Sequence, residues 1–203
     1  TDALFPQLHA AGYWTSIVGK VHNAQQNWLC TNHNNTAPFT HVSTLCRPCG
    51  QYWGTQYVHK EVGDILPQLE KPLDVNDWST YSHAQFGNRS VAFMRKAVAA
   101  GKPFFAHIGT TGPHLPSQPA PWHAHIVESW AQNVSAPRGE NFNFHAADGH
   151  PTLAAMPKID DDKVYVIDQH YRDRLGTLLS IDDLVAEVCL CAGSGQLMLS
   201  CLA

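Results

Sequence analysis

Lys20 and His22 stand one residue apart, directly after Gly19, at the end of a short β-branched run. A glycine there lets the backbone turn tightly. The lysine then offers a compact positive charge and the histidine a group that titrates near neutrality. Together they could hold an anion and move a proton. The surrounding segment, Gly12-Tyr13-Trp14-Thr15-Ser16-Ile17-Val18-Gly19-Lys20, has the wrong glycine spacing for a phosphate-cradling P-loop, and Val21 stands where Ser or Thr is needed. A second candidate is His114, within Thr110-Thr111-Gly112-Pro113-His114-Leu115-Pro116. Two prolines brace that histidine on a stiff loop, and rigid placement is what an acid or an oxyanion donor requires. From spacing alone, a solvated lysine and loop histidines held for packing are the competing readings.

The elements that must position these residues follow from periodicity. Residues 4–11 carry apolar side chains at helical spacing, with Gly12 as a C-cap. Residues 15–18 read as a strand. Residues 83–100 carry Phe86, Val91, Phe93, Met94 and Val98 at helical steps, closed by Gly101 and Pro103. Residues 104–109 are a short apolar run, a buried strand. Residues 160–188 form a long helical pattern that opens on three aspartates, which suit a helix N-terminus, with Gly176 weakening its middle. Residues 23–77 show little periodicity and read as irregular. Strand, helix and strand in alternation predict an α/β fold with a largely parallel sheet flanked by helices. In such sheets ligands bind beyond the carboxyl ends of the strands, which points at Gly19 to His22 and at Thr110 to Pro116.

Composition narrows the function. The 203 residues are 44% apolar and 15% charged, which is globular. The net charge of −4, without blocks of like charge, argues against nucleic-acid binding through a basic surface. The 13 histidines equal Lys and Arg together, so acid pH adds much positive charge and favours polyanion binding. No membrane span is expected. The most apolar end, residues 188–203, is too short and is broken by Gly193, Ser194 and Gly195. The first residues carry neither a signal-peptide pattern nor a Met and read as a cut end.

Six cysteines leave two possibilities open. Cys30-x-x-His33 and Cys46-x-x-Cys49 have the spacing of a structural zinc knuckle, which would make the chain a non-catalytic module. The other is a disulfide involving two of Cys30, Cys46 and Cys49. Three N-glycosylation acceptors, Asn34, Asn88 and Asn133, favour a lysosomal or secreted route, where thiols pair.

The segment from Gly12 to His22 resembles a signature of the sulfatase family, within the alkaline-phosphatase-like superfamily. Pro113-His114 resembles that family's later histidine loop. Ala136-Pro137-Arg138, Asn141-Phe142-Asn143, residues 171–175 and residues 180–185 look most like the N-acetylglucosamine-6-sulfatase branch. The resemblance covers residues 1–188 and implies a partial sulfatase fold that hydrolyses sulfate esters, with 6-sulfated N-acetylglucosamine in sulfated glycans as substrate. The runner-up is a phosphate or phosphonate ester hydrolase of the same superfamily. The family's nucleophile is a formylglycine made within Cys-x-Pro-Ser-Arg, and a calcium ion binds nucleophile and sulfate. By resemblance, Lys20 holds a sulfate oxygen, His22 serves the hydrated aldehyde, and His114 binds sulfate or protonates the leaving alkoxide.

Departures accompany the match. Cys46-Arg47-Pro48-Cys49-Gly50 lacks the motif's Ser and Arg and follows the Gly-Lys segment, whereas the family's nucleophile precedes it. Cys46 is therefore rejected as nucleophile. The family's paired aspartates and later Asp-Asn calcium pair are absent, and Asp182-Asp183 sit within a helical pattern. Residues 189–203 match nothing in the family. The expectation is a catalytic-domain fragment, residues 1–188, with an unmatched tail, inert by itself.

Overall fold

The computed structural model describes residues 3–20, 39–47, 52–144 and 149–193. The β-branched residues of Trp14–Gly19 form strand β1, which is almost wholly buried. Its parallel neighbour on one side is β5 (Phe104–Gly109), in register from Trp14 opposite Phe104 to Gly19 opposite Gly109. On the other side lies β2 (His41–Arg47), also parallel, with Ser16 opposite His41. Then come β3 (Gln56–Lys60) and the short β4 (Gln68–Leu69), each antiparallel to its neighbour. The order is β4-β3-β2-β1-β5. The α/β expectation holds, but the sheet is mixed rather than largely parallel: β1 pairs in parallel with β5 and β2, and the two pairings beyond β2 are antiparallel.

Three of the five strands among the described residues lie in the stretch read as irregular. The reason is chemical. Every residue of β2 from His41 to Cys46 is buried, yet His41, Ser43 and Thr44 are polar. A buried strand is normally announced by an apolar run. Here hydrogen bonds inside the sheet stand in for it, such as Ser16 Oγ to His41 Nδ1 at 2.8 Å.

Helix α1 (Leu4–Ala10) covers one sheet face. Its Phe5 ring meets Phe39 at 4.6 Å and Phe105 at 5.5 Å. Helix α2 (Ser82–Ala99) covers the other and buries Phe86, Val91, Phe93, Met94 and Ala97. Phe86 joins Val18, Leu45, Tyr57 and Leu184 in the main core. Arg89 of α2 clamps Glu70 through two hydrogen bonds of 3.0 and 2.8 Å while stacking over Tyr57 at 4.3 Å. That clamp ties the antiparallel edge to the helix.

Short helices α3 (Ala124–Ser129) and α4 (Pro151–Ala154) precede α5 (Asp161–Gly193). Helix α5 passes Gly176 unbroken and continues beyond the expected end at residue 188. Gly176 serves packing, because a Cβ there would lie 2.6 Å from Val127 and 2.8 Å from Pro119. The branch-like segments lie against this helix. Arg138 binds Asp168 at 2.7 Å, Arg172 donates to Val134 O at 3.0 Å, and Asn143 accepts from Ile159 N, just ahead of the helix, at 2.7 Å. Asp183 likewise accepts from Trp122 at 2.9 Å and His123 at 2.7 Å, a structural use as its helical position implied. Among the described residues no helix is long and apolar enough to cross a membrane.

The tightest point of the sheet is its carboxyl end. Gly19 has φ +87°, and a Cβ there would sit 2.1 Å from Gly109 O. A side chain would have to displace backbone and occupy the left-handed region. Gly19→Ala should therefore cost roughly 2–5 kcal/mol, the sum of the left-handed and overpacking penalties. Urea denaturation checks it, and a loss below about 0.5 kcal/mol, the level of an ordinary surface change, would refute the close contact.

Candidate functional site

The chain leaves β1 and β5 side by side. Adjacent strands are about 4.8 Å apart, and Lys20 N donates to Gly109 O at 2.7 Å across that gap. The two segments singled out in the sequence thus start from neighbouring positions at the same end of the sheet. Lys20 is half-buried and His114 is exposed. His22 lies outside the described residues.

The loop bearing His114 is held from three directions. Its own turn is closed by His114 N to Thr111 O at 3.1 Å. The phenol of Tyr52 donates to His114 O at 2.9 Å. Gly112 N donates to His83 Nε2 at 3.0 Å. Since Nε2 accepts, His83 carries its proton on Nδ1, which donates to Ser180 Oγ of α5 at 2.7 Å. Ser180 Oγ in turn donates a hydrogen bond to Thr177 O at 2.8 Å. The imidazole of His83 therefore bridges α2, the loop and α5. Tyr52 and Tyr81 pack their rings against it at 5.6 and 5.4 Å. Burial raises both phenols and pushes His83 down to about 4, so all three stay neutral and keep these bonds at neutral pH. In the loop itself, His114 Nδ1 lies 2.5 Å from Leu115 O. A carbonyl only accepts, so Nδ1 carries the hydrogen and Nε2 is left for a ligand.

A lysine and a histidine at one strand-end mouth suit the binding of a small oxyanion. The His114 ring is set by its contact with Leu115 O. Tyr52, Tyr81, His83 and Ser180 carry no sequence signal as a group. The hydrogen bonds that tie them to other elements span 29 to 99 residues, so no local spacing reveals them.

The zinc reading is corrected. Cys46 is buried in β2 and disulfide-bonded, so its sulfur is neither a metal ligand nor a nucleophile. Cys30, His33 and Cys49 lie outside the described residues, as does Asn34. Asn88, on α2, and Asn133, after α3, are both exposed.

Comparison with known proteins agrees with this fold. A family model described as Sulfatase matches residues 1–190. A relative named Sulfatase ppz1 from Metarhizium majus is 33% identical over 124 residues, 57% of this chain and 29% of its own. Human N-acetylglucosamine-6-sulfatase is 38% identical over 88 residues, 43% of this chain and 15% of its own. A solved structure of a protein in complex with its substrate D-glucosamine-2-N,6-O-disulfate shares the fold. Its TM-score is 0.62 at 17% identity, over 94% of this chain and 46% of that one. The chain thus spans less than half the length of each.

The burial of His83 and of His41, also pushed down to about 4, gives a pH dependence. Below about 6.5 the unfolded chain takes protons that the folded one refuses until about 4. Stability is therefore intact above pH 6.5 and is lost as pH falls through that window. Each group contributes a loss of about 2 kcal/mol between pH 7 and 5. Urea melts at both pH values should show it, and His83→Asn should lose about 2 kcal/mol less over the same interval. An identical pH loss in the variant would contradict a buried neutral His83.

Proposed function

Because the chain belongs to the sulfatase family, we propose that it forms part of the catalytic domain of a sulfuric ester hydrolase acting on 6-sulfated N-acetylglucosamine in sulfated glycans. The observation that carries this reading is the joint exit of Lys20 and the His114 loop from neighbouring parallel strands. Identity to human N-acetylglucosamine-6-sulfatase supports the choice of sugar.

The roles follow from charge. In the transition state a sulfate ester spreads negative charge over its oxygens. Lys20 meets one of them as a preset cation. His22 exchanges a proton with the nucleophile, and His114 binds a sulfate oxygen or protonates the departing alkoxide through Nε2. Removing one such contact costs about 10²–10³ in rate.

The family's calcium is a separate matter. The segments leaving β1 and β5 offer Lys20, His22, His114 and the hydroxyls of Thr110 and Thr111, but no carboxylate. Calcium prefers about 6–8 oxygens, so these groups do not fit it. The 203 residues also contain no Cys-x-Pro-Ser-Arg segment. We therefore assign this chain substrate-binding groups without turnover of its own, and residues 189–203 no part in the site. A lysosomal or secreted setting suits the disulfide at Cys46. It also suits carbohydrate on Asn34, Asn88 and Asn133, of which Asn88 and Asn133 are exposed.

Two measurements test the proposal. With calcium at pH 5 and 7, the 203-residue chain should hydrolyse a chromogenic sulfate ester no faster than its Lys20→Ala variant. Turnover above that control would overturn the inert assignment. By equilibrium dialysis, the chain should bind N-acetylglucosamine 6-sulfate more tightly than the unsulfated sugar or the 6-phosphate. Lys20→Ala and His114→Ala should each weaken that binding at least about tenfold, the usual worth of a charged hydrogen bond. Equal binding of sulfate and phosphate esters would remove the sulfatase specificity from this site.

A further inference from the structure

The opposite end of the sheet carries a second cluster that the sulfatase reading does not use. His41 opens β2, and Glu61 follows antiparallel β3, so both lie at the amino ends of the parallel strands. His59 stands one pair along on the same face. One ligand atom from each of His41, His59 and Glu61 lies within 4.8 Å of the others. They line an open cleft of about 310 Å³ between α2 and the sheet, together with Glu70 and Arg89.

We propose that His41, His59 and Glu61 bind a divalent transition-metal ion of the zinc class. Two imidazoles with one carboxylate form a borderline donor set that suits zinc and its neighbours better than calcium or magnesium. Metal–ligand bonds near 2.1 Å place tetrahedral ligands about 3.4 Å apart, a short contraction reached by small side-chain rotations.

The surroundings are what such a site requires. A ligating histidine needs its second nitrogen engaged, so that the first keeps its lone pair. His41 has Nδ1 on Ser16 Oγ at 2.8 Å, and its ring is fixed by stacking on Phe93 at 5.3 Å. Its burial holds it neutral, the form that ligates. His59 has Nε2 on Glu61 Oε1 at 3.0 Å, so the metal takes the place of the hydrogen between them. His59 Nδ1 then faces Glu70 Oε1, now 3.8 Å away, in the carboxylate–histidine–metal arrangement. Glu61 keeps its other oxygen on Lys96 at 2.5 Å.

Glu61 and Glu70 are already matched by Lys96 and Arg89, so Lys96 competes with an incoming dication for Glu61. Arg89 Nη1 is turned to Ser43 and Glu70 at 2.9 and 3.0 Å and sits farther, at 3.4 Å, from His59 Nδ1. The metal would pin β2, β3 and the turn after β3 to one another, far from the strand ends that bear Lys20.

The test titrates the full 203-residue chain, stripped with chelator, with Co(II), and then displaces it with zinc. A visible band of four-coordinate Co(II) at one equivalent is expected. His59→Gln and Glu61→Gln should each weaken binding at least tenfold, and Glu70→Gln should weaken it by about 10–100-fold as an outer support. Lys96→Met should tighten it, because a competing cation is removed from Glu61. A structural role for these residues alone would not predict that gain. Zinc should also raise the melting temperature of the parent chain and not of Glu61→Gln. Glu61 sits at the rim, so its variant carries the test if His59→Gln does not fold. Binding that is unchanged in folded Glu61→Gln, or no Co(II) band in the parent chain, overturns the proposal. Binding to N-acetylglucosamine 6-sulfate is unaffected by Glu61→Gln in either case, which separates this site from the one at Lys20.

Discussion

Everything proposed for the site rests on how closely β1 and β5 approach at their carboxyl ends. Gly19 and Gly109 are opposite one another in register, and neither has room for a methyl group. The Lys20 N to Gly109 O bond continues the ladder one step beyond the strands. Two chain segments remote in sequence therefore leave the sheet from one point. The proposed anion site uses this, with a cation on one segment and an imidazole on the other. Preset charge of this kind is what stabilises an anionic transition state at least cost in reorganisation.

Placement of the strand ends alone would leave the His114 loop free to move. The buried bridge from Gly112 through His83 to Ser180 removes that freedom, with the Tyr52 phenol on His114 O as a second tether. This arrangement depends on an uncharged imidazole that accepts on one side and donates on the other. Burial supplies that state by penalising the imidazolium. The consequence is a tension with acid surroundings, since the same burial makes the fold less stable as protons become plentiful.

Histidine thus serves three physical ends in one small fold. His114 is exposed and backed by a carbonyl, which suits contact with ligand. His83 is buried and neutral, which suits bridging. His41 and His59 stand at the far end of the sheet beside Glu61, which suits metal. Composition alone records only that histidine is abundant. Burial and partners divide the residues among these ends.

The sequence alone determined the α/β alternation, the two loops that carry Lys20 and His114, and the family resemblance. These are local properties: apolar spacing, glycine and proline punctuation, and short motifs. Three strands escaped, because β2 buries His41, Ser43 and Thr44 and so lacks an apolar signature. The helix over Asp161–Gly193 was read correctly in type, but Gly176 was misread as a weak point, since its reason is contact with Pro119 and Val127. Only the tertiary structure decided that Cys46 is disulfide-bonded, that His83 supports the His114 loop, and that His41, His59 and Glu61 share a cleft. Each of these depends on residues brought together from different strands, helices and loops, and pairing across such distances leaves no periodicity in a single chain.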